Sequence, residues 1–324
     1  MRALLCKSLD GPAALELADL PDPIAAKGQV IVAVRAAALN FFDTLITRGR
    51  YQHKPDLPFS PSGEIAGVVE AVGEGVSGLV PGDRVAAYLG WGGAREKISV
   101  AAEHLVHIPD GVNFQTASGV AITYGTALHG LRDRAKVRSG ETVAVLGASG
   151  GAGLAAVEIA KLLGARVIAV ASSPEKLEIC RQHGADETLC YADTDLKTGL
   201  RELTNGIGVD VVYDCVGGPY AEPAIRAMAW EGRFLVVGFA AGEIPRLPLN
   251  LLLLKGCAAL GVFWGEAVKR DVTRHRENLS QLLRWVADGN LEPRIGAVFP
   301  LERGVEALQL IDQRKAAGKI ILEI

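Results

Sequence analysis

Two hydrophobic rhythms divide the chain. In the N-terminal stretch, short apolar and β-branched runs (Gln29–Ala36, Gly63–Val72, Arg84–Tyr88, Glu96–Val100) are cut by turn-forming clusters such as Pro21-Asp-Pro23, Val80-Pro-Gly-Asp83 and Pro109-Asp-Gly111. Runs of that length between glycine, proline and aspartate predict an irregular, strand-rich domain. From Gly140 onward, strand and helix alternate. Thr142–Leu146, Arg166–Ala171, Thr188–Tyr191, Val209–Asp214, Arg233–Gly238 and Gly256–Phe263 predict buried strands. Leu154–Leu163, Asp195–Asn205 and the segment around Pro223–Trp230 predict helices. So does the segment opened by Ser172-Ser-Pro-Glu175, with its capping hydroxyl, first-turn proline and early carboxylate.

Strands separated by helices in this way predict an α/β domain with a doubly wound parallel sheet of six strands, covered on both faces. The tail adds a helix over Asn278–Asp288, a short strand near Val298, a helix over Glu302–Gln313 and a last strand at Lys319–Glu323. We expect it to fold back onto the N-terminal domain, giving one domain from residues 1–120 with 265–324 and another from 121–264.

Composition narrows the function. Hydrophobic residues make up 49% and charged residues 22%, as in globular proteins rather than disordered ones. A formal net charge of −3 offers no basic balance for a nucleic-acid partner. No apolar run approaches the roughly 18 residues of a membrane span, and Met1–Lys7 does not open a secretory signal, so a cytoplasmic protein is expected. The five cysteines form no C-x-x-C pair, which argues against a disulfide framework or a thiolate zinc site.

The sharpest motif is Val145-Leu-Gly-Ala-Ser-Gly-Gly-Ala-Gly153, between a predicted strand and its helix. In a dinucleotide site, such a turn aims a helix N-terminus at a pyrophosphate. Gly150 would let the backbone approach the phosphate and Gly153 would let helix and strand pack closely, with Ala148 in place of the first glycine. The end of the next strand selects the cofactor. An NAD site carries a carboxylate there, about 20 residues on, for the ribose 2′-hydroxyl. Here the chain reads Ala171-Ser-Ser-Pro-Glu-Lys176: hydroxyls and a lysine, which suit a 2′-phosphate. NADPH is therefore expected over NADH.

Gly147-Ala-Ser-Gly-Gly151 also satisfies G-x-S-x-G, the nucleophile elbow of α/β-hydrolases, with Ser149 as nucleophile and Asp271 and His275 following. No oxyanion loop of the HGGG type precedes Ser149, which weighs against that reading. A protein that binds NADPH without turnover is a further alternative.

Ala148-Ser-Gly-Gly-Ala-Gly153 and Lys161-Leu-Leu-Gly-Ala-Arg-Val167 resemble the zinc-free NADPH:quinone oxidoreductases, the zeta-crystallin-like family of the medium-chain dehydrogenase/reductase superfamily. The likeness runs over essentially the whole chain, through Ala37–Asp43, Gly49-Arg-Tyr51, Gly67–Gly73, Pro81–Val85, Thr123–Leu128, Asp210–Asp214 and Gly318–Ile320. One departure is Glu158, where the family usually has glutamine; a helix-interior position of this kind is expected to be tolerant. The resemblance implies a Rossmann domain beside a GroES-like catalytic domain. Zinc-dependent relatives place a cysteine where this chain has Asn40, and their Gly-His-Glu reads Ser62-Gly-Glu64 here. Without those ligands no tetrahedral site assembles. His104 and His107, three apart on an expected strand, would face opposite sides and supply no substitute.

By position, the resemblance implies that Lys176, Tyr191 and Arg314 grip the 2′-phosphate with Ser172 nearby, and that the turn Ser149, Gly150, Gly151, Ala152 and Gly153 takes the pyrophosphate. It implies that Thr123 lies beside the cofactor, and that Gly238, Phe239, Ala240, Val262, Phe263 and Trp264 hold the ribose and nicotinamide. Asn40 and Tyr51 would line the substrate side, as catalytic residues bonding a developing oxyanion. It also implies a homodimer joined along the strand Cys257–Val262. With no metal as Lewis acid, the small-molecule acceptor must already be electrophilic. A quinone is expected; an activated alkene, such as an enoyl or alkenal substrate, is the alternative.

Overall fold

The turn-rich N-terminal stretch forms strands β1 (Arg2–Leu5), β2 (Glu16–Asp19), β3 (Gln29–Leu39), β4 (Glu64–Val72), β5 (Arg84–Tyr88), β6 (Lys97–Ala101) and β7 (Leu105–His107). Helix α1 (Phe41–Ile46) follows β3, and α2 (Phe114–Ser118) follows β7. The alternating stretch gives α3 (Ala121–Leu128), β8 (Thr142–Leu146), α4 (Gly151–Leu162), β9 (Arg166–Ala171), α5 (Pro174–Gln182) and β10 (Glu187–Cys190). It continues with α6 (Leu196–Leu203), β11 (Val209–Asp214), α7 (Ala221–Arg226), β12 (Met228–Val236), α8 (Asn250–Lys255) and β13 (Ala258–Gly261). The tail contributes α9 (Trp264–Arg270), α10 (Val272–Ala287), β14 (Ile295–Pro300), α11 (Gly304–Asp312) and β15 (Lys319–Glu323).

This computed structural model describes residues 1–324. The chain divides into two units, Met1–Ile122 with Ala267–Ile324, and Thr123–Glu266. In the second, six strands pair in the order β10-β9-β8-β11-β12-β13, every pair parallel. The doubly wound sheet read from the alternation is present. Its central strands β8 and β9 are almost wholly buried because helices cover both faces, which is why they read as unbroken apolar runs. Strand order reverses beside β8, so the carboxyl ends of β8 and β11 flank the switch point where such sheets bind ligands.

In the first unit, the strands of the second large sheet run β14-β15-β3-β4-β5-β7, with β6 on the other half of β3. The tail strand β15 completes this sheet by pairing antiparallel with β3. Register then places chemistry. Ile320 faces Leu39, Ala38 faces Glu64, and Glu64 faces Tyr88, so Lys319, Asn40, Glu64 and Tyr88 gather at one end of the sheet.

Three expectations need correction. Pro223–Trp230 is not one helix: α7 ends at Arg226, and Trp230 lies in β12, where the register with β11 shifts between Met228 and Arg233. Helix α10 begins at Val272 rather than Asn278, because the Asp271 carboxylate caps it by accepting from the Arg274 N–H at 2.9 Å. His104 belongs to a 3-10 turn ahead of β7 rather than to the strand carrying His107.

Candidate active site

In the second unit, the residues expected to hold a cofactor converge on the carboxyl ends of the parallel strands. Gly147 to Gly150 leave β8 and Ser172 ends β9, while Tyr191 ends β10. Gly238–Ala240 follow β12 and Val262–Trp264 follow β13. The turn after β11 is knitted to them. Asp214 Oδ1 accepts from Val216 N–H at 2.7 Å and Gly217 N–H at 2.9 Å, and Cys215 O accepts from Ala240 N–H at 3.1 Å.

The glycine turn is shaped for an anion. A Cβ at Gly153 would lie 2.2 Å from the Gly147 carbonyl oxygen, so only glycine lets α4 start so close to β8. At Gly150 the nearest atom would be 3.5 Å away, leaving the approach open. Helix α4 starts at Gly151 with no side chain capping its N-terminus, so first-turn N–H groups and the helix dipole remain for a ligand. At the end of β9, Lys176 Nζ donates to Ser172 Oγ at 3.1 Å, and no carboxylate ends the strand. The Tyr191 ring packs against Tyr220, centroids 4.6 Å apart, a neighbour that sequence reading missed. Thr123 is buried. The Trp264 indole lies where any side chain on Gly125 would sit, 2.7 Å from such a Cβ, which accounts for the glycine in Thr123-Tyr-Gly-Thr-Ala-Leu128. Arg314 belongs to the first unit, exposed just beyond α11 in left-handed backbone. The residues of the second unit fit a nicotinamide dinucleotide.

Glu158 is engaged from two sides. It is buried, accepting from the Tyr124 hydroxyl at 3.0 Å, with His183 Nδ1 at 2.5 Å from its other oxygen. A carboxylate there ties α3, α4 and the end of α5 together.

In the first unit, Asn40 and Tyr51 stand over a buried polar network. Lys319 Nζ donates to Asn40 Oδ1 and Glu64 Oε1, both at 2.6 Å, while Asn40 Nδ2 donates to Glu64 Oε1 at 3.0 Å. Glu64 Oε2 accepts from Ile122 N–H at 2.8 Å. A donor-only ammonium and an acceptor-only carboxylate leave the Asn40 amide one orientation. Both ends of that amide are thus engaged, so Asn40 is a node of the network rather than an open donor. Asp43 closes it from below, accepting from Asn40 N–H at 2.8 Å and Ser62 N–H at 2.9 Å. Burial outweighs those bonds and pushes its pKa up to about 7. Sequence reading missed Lys319 and Asp43 as functional neighbours; the available signal was a lysine opening the apolar strand Lys319-Ile-Ile-Leu.

The Tyr51 hydroxyl is different. Burial, then the nearby Asp43 charge, raises its pKa, so it keeps its proton at neutral pH. Its ring heads an aromatic row with Phe42 at 5.3 Å, His53 at 5.8 Å, and Trp91 beyond His53 at 6.4 Å between centroids.

Ser149 does not make a nucleophile elbow. That turn strains its serine into left-handed backbone, and Ser149 is not among the residues of positive φ. Asp271 is occupied as the α10 cap, and His275 packs edge-on to Tyr88 at 6.0 Å in the other unit.

The sequence matches the alcohol dehydrogenase GroES-like domain over residues 26–110 and the zinc-binding dehydrogenase family over residues 151–288. It is 40% identical to a quinone oxidoreductase-like protein 2 homolog of Nematostella vectensis, covering 99% of this chain and 88% of that one. Human quinone oxidoreductase is 32% identical over 99% of this chain and 97% of its own. The chain belongs to the quinone oxidoreductase family of the medium-chain dehydrogenase/reductase superfamily. It is an oxidoreductase that uses a nicotinamide cofactor and a small-molecule substrate. Among solved structures, a mycobacterial protein complexed with NADPH superposes with a TM-score of 0.92 at 29% identity over 100% of both chains. A probable oxidoreductase from Mycobacterium abscessus superposes at 0.90 with 38% identity, over 100% of this chain and 99% of its own.

The catalytic zinc suggested by the dehydrogenase name does not fit these residues. A Cβ at Gly63 would lie 2.8 Å from both the Gly90 carbonyl oxygen and the Phe42 ring, so the position has no room for an imidazole. Asn40 offers an amide where a thiolate is needed, and the Glu64 carboxylate is already paired with Lys319. Ser62 sits in left-handed backbone at φ 69°, held by its hydroxyl's bonding to Ala38 O and Glu64 O.

Proposed function

We propose that this oxidoreductase is an NADPH-dependent reductase of quinone-type acceptors. The observation that carries the reading is the end of β9, where Lys176 and Ser172 stand in contact and no carboxylate ends the strand, Glu175 lying in the first turn of α5. Ser172, Lys176 and Tyr191 would hold that phosphate, and the N–H groups of Ser149–Gly153 the pyrophosphate. Thr123, Gly238–Ala240 and Val262–Trp264 would hold the ribose and nicotinamide. When bound, the reduced nicotinamide supplies a hydride, which is two electrons and one proton.

The remaining work falls to the first unit. Reducing a quinone to its hydroquinone requires one more proton and stabilisation of the oxygen that gains charge. Tyr51, protonated at neutral pH, donates a hydrogen bond to that oxygen and then its proton, recovering it from water. Asn40, locked by Lys319 and Glu64, holds the backbone of α1 beneath it rather than bonding the acceptor. The same phenol would protonate an enolate, which keeps an enoyl or alkenal reductase as the second reading. We also propose that the molecule is a homodimer built along β13, one of the two edge strands of the parallel sheet.

The test is a steady-state comparison of 1,4-naphthoquinone, 9,10-phenanthrenequinone and crotonyl-CoA with NADPH. The quinones are expected to give the higher kcat/KM. Faster turnover of the thioester would replace this reading with the second one, and no NADPH oxidation with any acceptor would leave a binding protein.

A further inference from the structure

The aromatic row beside Tyr51 has a cation at its side that the mechanism does not use. Phe42, Tyr51, His53 and Trp91 follow one another at centroid spacings of 5.3, 5.8 and 6.4 Å. Trp91 is 37% exposed, unusual for an indole that has a neighbouring ring to cover it. Lys269, at the end of α9, lays its Nζ 3.4 Å from His53 Nδ1. That contact is with an imidazole, not a carboxylate, and no ion pair neutralises the ammonium. Exposed cations elsewhere in this unit are commonly matched, as in Lys7–Glu16 and Arg303–Glu306. A row of rings tilted 31°, 64° and 40° to one another, with an unmatched positive charge one ring from a proton-bearing phenol, is therefore the feature to be explained.

We propose that the acceptor is a planar conjugated ring system carrying an anionic substituent, with its rings along Tyr51, His53 and Trp91 and its anion on Lys269. The inference rests on Tyr51 serving the acceptor, as proposed above, and adds the acceptor's charge and shape. A carboxylate, sulfonate or phosphate ester on a fused-ring quinone meets the description; a small uncharged enone does not. The rings supply face and edge contacts for conjugated carbon. Lys269 supplies a point charge whose effect is modest and salt-sensitive because it is exposed.

The experiment has two arms. In the first, kcat/KM is measured with NADPH for 1,4-naphthoquinone and for its 6-carboxylate, in the wild-type chain, Lys269→Ala and Lys269→Arg. The carboxylate should be favoured about three- to fivefold by the wild type, an advantage lost in Lys269→Ala, kept in Lys269→Arg and diminished by added salt. In the second arm, calorimetry without cofactor compares naphthalene-2-carboxylate with naphthalene-2-carboxamide, neither of which can be reduced, in the wild-type chain, Lys269→Ala and Trp91→Ala. The carboxylate should bind more tightly, and Trp91→Ala should weaken both ligands alike by about fivefold. Equal responses of the charged and uncharged compounds to Lys269→Ala, in either arm, would overturn the proposal. If no quinone turns over, the quinone reading fails, and the calorimetric arm alone decides whether Lys269 recognises an anionic ring system.

Discussion

One methyl group separates the two glycines of the phosphate turn. In Gly153→Ala the new carbon meets backbone at 2.2 Å, so both folding and cofactor binding should suffer, with a lower Tm in thermal denaturation. In Gly150→Ala the nearest atom is 3.5 Å away, so Tm should hold while the methyl obstructs the phosphate and NADPH affinity falls. A Gly150→Ala protein that binds NADPH normally would mean the turn is not the phosphate site. These glycines were legible because their spacing has a mechanism attached to it. Lys319 was not, since nothing in Gly318-Lys-Ile320 says that its amine reaches Asn40 and Glu64; only the pairing of β15 with β3 does. The partners of the Asn40 amide were hidden for the same reason. Its residue type was right for an oxyanion, but neighbours distant in sequence had already engaged the amide.

At the scale of elements, the Glu158 carboxylate is a joint between helices. It joins Tyr124 on α3 to His183 after α5, and those two helices border Thr123 and Lys176. Glu158→Ala leaves a buried hydroxyl and imidazole without their acceptor, which should lower stability by about 1–3 kcal/mol in urea unfolding. A double-mutant cycle with His183→Ala should show non-additive coupling; strict additivity would mean that the short contact contributes nothing. Strands β8, β9 and β11 were read to the residue because burial on both faces leaves an apolar run with clear ends, whereas β12 opens at Met228 rather than Arg233 and the largely exposed β13 covers only Ala258–Gly261 of the run Gly256–Phe263. Helix α7 was overextended since Met228-Ala-Trp230 is apolar enough to continue either element, and the left-handed backbone at Glu231 that redirects the chain leaves no mark in the sequence. The six-residue π-helical turn His129–Arg134 was equally invisible, because a wider turn has no distinct pattern of its own.

For the whole molecule, two buried titrating groups pull stability in opposite directions with pH. The Asp43 carboxyl, ordinarily near 3.8, is raised to about 7 by burial. The folded state therefore holds its proton more tightly, and the associated stability is lost as pH rises from about 4 toward 7. His275, ordinarily near 6.5, is lowered to about 4 by burial and then by His104. Its contribution is complete above about 6.5 and lost as pH falls toward 4. Profiles of Tm against pH should thus lose their fall toward neutral pH in Asp43→Asn and their fall toward acid in His275→Gln. Unchanged profiles would show that neither group titrates as its burial implies. Assembly is testable on the same scale. Leu253 and Leu254 are 79% and 70% exposed on α8 just before β13, with Trp230 beside the Gly256 turn. Placing negative charge on that apolar surface in Leu253→Glu/Leu254→Glu should convert a dimer to a monomer in sedimentation velocity; a wild-type monomer would refute the edge-to-edge assembly.

Cofactor preference is the most direct check on the account, because every proposed step begins with the extra phosphate held at the end of β9. Equilibrium titrations of NADPH and NADH, followed by cofactor fluorescence in the wild-type chain and in Lys176→Ala, read it without any acceptor. NADPH should bind more tightly by about tenfold or more, and Lys176→Ala should erase most of that difference while leaving NADH unchanged. Equal affinities in the wild type, or a preference that survives Lys176→Ala intact, would contradict the account.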